Sequence, residues 1–198
     1  FVSLKALDTQ TLEVVSFDRE ACCFGYRDSV FKYQQGKYII TEVTLKLSQR
    51  PLPIVTYKPL DTLSDVKDLT PRMVRDLVVS TRKTKLPDWH AYPNAGSFFK
   101  NPVVDRETSE HLATQFPDMP LIEVEDGYKV PAAWLIEHIA QMKGVREGDV
   151  GTWPAQALVI VNYEAATADD VDRFATAIRE KVNRETGIVL EQEVNRVG

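Results

Sequence analysis

The stretch Asn94-Ala95-Gly96-Ser97-Phe98-Phe99-Lys100-Asn101-Pro102 is the densest concentration of chemistry in the sequence. Ala95 and Gly96 are small enough to let a ligand approach the backbone. Ser97 then offers a hydroxyl that can give or accept a proton, with Lys100 and Asn101 as polar neighbours. The alternative is a tight turn in which Ser97 only bonds the backbone. A hydrolase nucleophile fits poorly, because no G-x-S-x-G surrounds Ser97 and His90 is a weak candidate base. A second signal is Phe24-Gly25-Tyr26-Arg27-Asp28-Ser29. An arginine beside a glycine and an aromatic can clamp a carboxylate or phosphate with its planar fork, whereas an Arg27–Asp28 surface pair would do little. Glu193 is a candidate site carboxylate, set against the commoner exposed strand glutamate. His90, His111 and His138 are scattered, and His138 is expected as a core histidine on the apolar face of a helix. No metal site is readable. Nor does a G-x-G-x-x-G or G-x-x-x-x-G-K-[ST] motif supply a phosphate cradle.

These residues belong to a chain of 198, long enough for one large domain or a domain and part of another. Hydrophobic residues make up 43% and charged residues 27%, the balance of a globular protein with a real core. The net charge of −5 gives no basic field for nucleic acid or anionic lipid. Apolar runs such as Ala157 to Val161 are too short to cross a bilayer. Adjacent Cys22 and Cys23 form no disulfide framework and match no zinc spacing, which points to a reducing compartment. Phe1 is no initiator and no leader precedes it, so the chain is expected to be cut from something longer.

The elements that must position the candidate residues follow an α+β order. Leu12, Val14 and Val15 sit in a β-rich run with an expected break at Phe17 to Glu20. Ile39 to Leu47 alternates like a half-buried strand, after a turn at Gln35-Gly36-Lys37. Antiparallel pairing of these segments is the simplest arrangement. Thr70 caps a helix with Pro71 in its first position, Val74, Leu77 and Val78 on one face, and Arg82-Lys83-Thr84-Lys85 at its end. Leu86-Pro87-Asp88 stops it and marks the expected domain boundary. Residues 89–102 show no period and are expected to be a functional loop. Beyond come a helix over Asp105 to Phe116 and a second through Trp134, Leu135, His138, Ile139 and Met142, ended by Gly144. Next are a buried strand over Ala157 to Val161 and a capping box at Thr167 and Asp170. That box opens a helix with Val171, Phe174, Ala175, Ile178 and Val182 on one face. After Gly187 a final strand over Ile188 to Val194 would put Val189, Glu191 and Glu193 on one face.

Several segments in order resemble one family. They are Phe24-Gly25-Tyr26-Arg27-Asp28-Ser29-Val30-Phe31-Lys32, Thr84-Lys85-Leu86-Pro87-Asp88, the glycine-serine loop, Ala133-Trp134-Leu135-Ile136, Lys143-Gly144, Gln156-Ala157-Leu158-Val159 and Leu190-Glu191-Gln192-Glu193-Val194. From about Ala21 to the end the chain is similar to the UDP-N-acetylenolpyruvoylglucosamine reductase (MurB) family of bacterial flavoenzymes.

The resemblance implies NADPH-dependent reduction, through FAD, of UDP-N-acetylglucosamine enolpyruvate to UDP-N-acetylmuramate. That reaction serves peptidoglycan synthesis and hence cell-wall biogenesis, shape and division. It also implies a cytoplasmic monomer with no nucleic-acid or membrane partner. The implied layout is the end of an antiparallel-sheet flavin lobe over 1–86, an α+β substrate-binding domain over 87–187 and a return strand over 188–198. The family's N-terminal flavin region is not in this sequence, so the chain alone is expected to bind FAD weakly or not at all, and not to turn over.

By the same resemblance Arg27 matches the arginine that stabilises an enolate, Ser97 the proton donor and Glu193 the active-site glutamate. Lys85 is expected to assist the serine. Tyr57, Lys143 and Gln156 match contacts to the diphosphate and nucleotide, and Asn101 matches another substrate contact. The last motif lacks the proline expected before its final glutamate, so the pattern leaves Glu191 and Glu193 unseparated. A non-catalytic domain that binds a sugar nucleotide is the alternative from another class.

Overall fold

A computed structural model describes residues 1–50 and 52–197. Pro51 and Gly198, within the ranges 1–86 and 188–198 above, lie outside the described residues. The fold is α+β, with antiparallel sheets throughout. The chain forms two compact units, one of residues 1–54 and 68–71 and one of residues 55–67 and 72–198. The segment Leu86-Pro87-Asp88, expected to mark a domain boundary, lies within the second unit.

In the first unit, strands β1 (Ser3–Asp8), β2 (Val14–Asp18) and β3 (Tyr38–Thr44) form a sheet in the order β2-β1-β3, with a short helix α1 (Val30–Tyr33) before β3. Both outer strands pair antiparallel with β1, so β2 and β3 do not meet each other. Alternation buries Leu4, Ala6 and Asp8 on one face of β1. Leu4 and Ala6 form a small core with Cys22, against which Phe1, Phe17, Phe31 and Tyr38 pack. Phe17 stands edge-on to both Phe31 and Tyr38 with ring centroids 5.1 Å apart, a favoured aromatic geometry.

Three expectations change in this unit. Phe17 lies inside β2 because Leu4 pairs with it across the sheet, whereas Leu12 sits in the preceding turn with φ 59. β1 had no clear sequence signal of its own. β3 is exposed along nearly its whole length and ends at Thr44, since it is an edge strand and its alternating residues meet no second layer in this unit.

The second unit begins with a 3-10 turn (Leu60–Leu63) and helix α2 (Pro71–Lys85), whose bounds match the capping and proline signals. Its main sheet has the order β4-β10-β9-β8, built from β4 (Asn94–Ser97), β8 (Arg146–Glu147), β9 (Val150–Trp153) and β10 (Gln156–Asn162). A small sheet β5-β7-β6 comprises β5 (Val103–Val104), β6 (Ile122–Val124) and β7 (Gly127–Lys129), with α3 (Arg106–Gln115) between the first two. Helix α4 (Ala132–Trp134) runs into a π-helical turn (Leu135–Ile139), and α5 (Ala168–Thr186) closes the layer.

The core of this unit lies where α5 and the π-turn cover the sheet. Phe174, Ala175, Ile178 and Val182 of α5 are buried with Leu135, Ile136, Val150, Ala157 and Ile160. Apolar residues three and four apart on α5 produce this stripe. Thr167 accepts from the Asp170 amide while Asp170 accepts from the Thr167 amide, and Gly187 leaves the helix with φ 71. The capping box and stop glycine read from sequence are both present.

Three further expectations are corrected. The aperiodic stretch 89–102 contains strand β4, an edge strand recruited by β10 despite its β-poor Asn-Ala-Gly-Ser composition. His138 is exposed and stacks against Trp134 with centroids 4.7 Å apart, because the π-turn rotates it off the buried stripe. Residues 188–194 form no strand: the segment is held by one isolated bridge, Phe99 with Gln192. Ile188 and Leu190 still point into the core, so the alternation survives without a ladder.

Candidate functional site around Ser97

Ser97 is the last residue of β4 and is exposed. It pairs with Val159, and the next amide, Phe98 N–H, donates to the Leu158 carbonyl at 2.8 Å. The buried rings of Phe98 and Phe99 then fasten the strand end to the core. Gly96 has φ +76, and a Cβ built there would meet nothing within 4 Å. The backbone beside the Ser97 hydroxyl is therefore open to a ligand, as the small residues suggested. Asn94 makes the turn that leads in, its carboxamide oxygen accepting from Gly96 N–H at 3.0 Å.

The end of the chain returns to this edge. Lys100 N–H donates to the Glu191 carbonyl and Glu193 N–H to the Phe98 carbonyl, each at 2.9 Å. These bonds frame the Phe99–Gln192 bridge and bring Glu193 opposite the residue that follows Ser97. Lys100 also pairs through its ammonium with the Glu191 carboxylate, its side chain only 18% exposed. The two glutamates that the pattern could not separate thus differ in surroundings, since Glu191 is the partner of Lys100.

Asn101 turns its carboxamide oxygen toward the Ala132 amide, which donates at 2.8 Å and so is satisfied at the start of α4. Gln156 opens β10, three residues before Val159, about 10 Å along the same strand from the Ser97 pair. Its side-chain oxygen accepts from Leu158 N–H at 3.4 Å. Lys143 forms an ion pair with Glu137 at 2.6 Å, both side chains about one-third exposed. The loop carrying Lys143 is fixed to β9: Thr152 Oγ1 donates to the Met142 carbonyl, and Thr152 N–H donates to the Val145 carbonyl at 3.0 Å. Gly151 makes that approach possible, as a Cβ there would lie 2.5 Å from the Val145 carbonyl oxygen. Ser97, Glu193, Asn101, Gln156 and Lys143 all lie in the second unit.

Tyr57 and Lys85 rest on elements outside that sheet. Tyr57 is exposed, and its carbonyl accepts from Asp61 N–H at 3.1 Å as the 3-10 turn begins. Lys85 is the exposed last residue of α2. Arg27 belongs to the first unit, exposed, with φ 55 and its guanidinium carbon 5.7 Å from the Tyr26 ring centroid. The sequence reading overlooked Glu137 as partner of Lys143 and Lys100 as partner of Glu191. Only the Lys100 position carried a signal, its place in the serine loop. Among the described residues no group of three or more His, Cys, Asp or Glu could hold a metal ion, and no helix is long and apolar enough to cross a membrane.

The family described as UDP-N-acetylenolpyruvoylglucosamine reductase, C-terminal domain, matches over residues 88–197. The chain belongs to that family. A UDP-N-acetylenolpyruvoylglucosamine reductase of Idiomarina loihiensis is 43% identical over 93% of this chain and 55% of its own length. The Escherichia coli K12 protein of the same name is 40% identical over 98% of this chain and 56% of its own. The chain thus spans about half the length of these relatives. A crystal structure of the reductase from Thermus caldophilus superposes with a TM-score of 0.57 at 23% identity, covering 98% of this chain and 51% of that one, which shows the shared fold.

Membership brings the question of a flavin. The diphosphate of FAD calls for a run of backbone N–H donors at a glycine-rich turn or helix start. Gly96 is open but stands alone in an edge strand that is paired to β10. Two cavities of the second unit, about 460 and 470 Å³, are lined by residues such as Asp149 and Arg173 or His138 and Lys181, and by none of the candidates. The residues described do not by themselves fit a flavin.

Proposed function

We propose that this chain is the substrate-binding part of an enzyme that reduces UDP-N-acetylglucosamine enolpyruvate to UDP-N-acetylmuramate in the bacterial cytoplasm, acting as a monomer in peptidoglycan precursor synthesis. In that enzyme the hydride would come from NADPH by way of FAD. The observation that carries this reading is the family match over 88–197, with the exposed Ser97 hydroxyl beside an open Gly96 inside it.

The substrate is an enol ether that bears a carboxylate. Hydride arriving at its terminal carbon leaves negative charge on the neighbouring carbon, spread into the carboxylate. Arg27 is the fixed positive charge for that enolate, because preorganised charge acts most strongly where charge develops. Ser97 hands a proton to the carbon. A serine hydroxyl is a weak acid, and Lys85 is the cation that assists it. Glu193 stands with Ser97 through the backbone bond to Phe98. Lys143, Gln156 and Tyr57 hold the diphosphate and nucleotide, and Asn101 contacts the substrate while capping α4. In this layout residues 1–86 belong to the flavin lobe, 87–187 form the substrate domain and 188–198 are the closing segment.

Titration of this chain with UDP tests the binding half of the proposal. Saturable binding that Lys143→Ala and Gln156→Ala weaken supports it. Consumption of the enol ether with NADPH by the protein at its relatives' full length tests the other half. Binding without turnover in that longer protein would leave the sugar-nucleotide-binding reading standing instead.

A further inference from the structure

Resting on that reading, we propose that Lys100 is a positioning residue: its ion pair with Glu191 fixes the segment that carries Glu193 against the Ser97 edge. Three observations converge on the clamp. The Lys100 side chain is 18% exposed although that of its partner is 70% exposed, so the lysine stem is packed while its ammonium reaches out to the carboxylate. Main-chain bonds at 2.9 Å flank the pair, from Lys100 to Glu191 and from Glu193 to Phe98. Residues 188–194 otherwise lack a ladder and have a single bridge to hold them.

The sequence of that segment explains why a clamp is needed. Side chains of an extended chain alternate, and Glu191 and Glu193 are two residues apart. A slip by two would put Glu193 where Glu191 stands and Asn195 in the place of Glu193. Leu190, fully buried, resists the slip because Gln192 would have to enter its apolar place. Past Leu190, Gln192 is bridged to Phe99 and Val194 packs against the core, and between them and Leu190 the Lys100 ammonium engages the Glu191 carboxylate. By engaging Glu191 it fixes the segment that carries Glu193. An exposed pair of this kind adds little to global stability, so its effect is local.

The test compares Lys100→Met, Glu191→Gln and the charge-reversed double variant Lys100→Glu/Glu191→Lys. Methionine keeps the packed stem and removes the charge. In this chain, hydrogen exchange at the Glu193 and Lys100 amides is expected to rise about tenfold in each single variant, with exchange elsewhere unmoved, and to return toward the parent in the double variant. In the flavin-loaded protein of full length, kcat is expected to fall about tenfold in each single variant at unchanged KM, and to recover in the charge-reversed one. Exchange that stays at the parent value overturns the clamp. So does a charge-reversed protein as slow as the single variants, which would make Glu191 itself the site carboxylate. Should the unaltered full-length protein leave the enol ether untouched, the proposed function falls, and the exchange arm still decides the clamp.

Discussion

The Glu193 amide donates to the Phe98 carbonyl at 2.9 Å, one residue beyond Ser97. These two candidate residues are 96 positions apart in the chain, yet neighbouring main-chain units hold them. Strand β4, fixed to β10, presents the hydroxyl, and the segment after α5 returns to the free side of the same edge. A hydroxyl and a carboxylate are thereby set on backbone rather than on mobile side-chain contacts, as preorganised chemistry requires.

Ser97→Ala is expected to leave the fold intact, with unfolding free energy within about 0.5 kcal/mol of the parent, because the hydroxyl is exposed at a strand end. In the full-length protein flavin reduction by NADPH should stay unchanged. Oxidation of the reduced flavin by the enol ether should slow by at least ~10²-fold, the low end for a lost acid–base group. Stopped-flow absorbance separates the half-reactions, and equal slowing of both would indicate a folding defect.

Arg27→Lys keeps the charge and loses the bidentate fork, so the same substrate half-reaction should slow by about tenfold or more. Arg27→Gly should slow it further while relieving a strained backbone, since φ 55 favours glycine over any side chain. Thermal unfolding at or above the parent midpoint in Arg27→Gly, together with loss of turnover, would mark a site residue held in strain.

Leu190→Ala should destabilise the protein by about 2–5 kcal/mol, the usual cost of truncating a fully buried leucine. The same change should raise amide exchange at Glu193, because the segment loses its anchor before the bridge. Urea unfolding measures the first effect and exchange by mass spectrometry the second.

Acid sensitivity should trace to capping carboxylates. Hydrogen bonds from the Gln10 and Thr11 amides hold Asp8 below the ordinary carboxylate value of 3.8, and those from Thr108 do the same for Asp105. The Thr167 hydroxyl and amide, with Arg173 nearby, depress Asp170. A group depressed in the folded state contributes stability above its unfolded pKa and loses it as pH falls through the folded value. The melting temperature should therefore be level above about pH 5 and fall below about pH 4. Asp105→Asn, which still caps α3 without titrating, should fall less steeply over that range than the parent.

What the sequence determined by itself is everything set within a turn or two of chain. The helix limits at Pro71 and Lys85, the Thr167–Asp170 box, the Gly187 stop and the buried face of α5 were all legible, because caps and periodicity are local interactions. The glycine-serine loop was legible as chemistry for a similar reason: small residues beside a hydroxyl have the same meaning in any fold. Only the tertiary structure decided what depends on a distant partner. β4 is a strand because β10 supplies its hydrogen bonds, over 60 residues later, and no propensity of Asn94 to Ser97 announces that. His138 left the core because a π-turn, whose i+5 bond from Ala140 to Leu135 is set by packing, rotated it outward. Glu191 and Glu193 share a spacing and a chemical type, and Lys100, 91 residues before Glu191, tells them apart. Side-chain identity is written along the chain, whereas the cation that stands beside a given carboxylate is decided by folding.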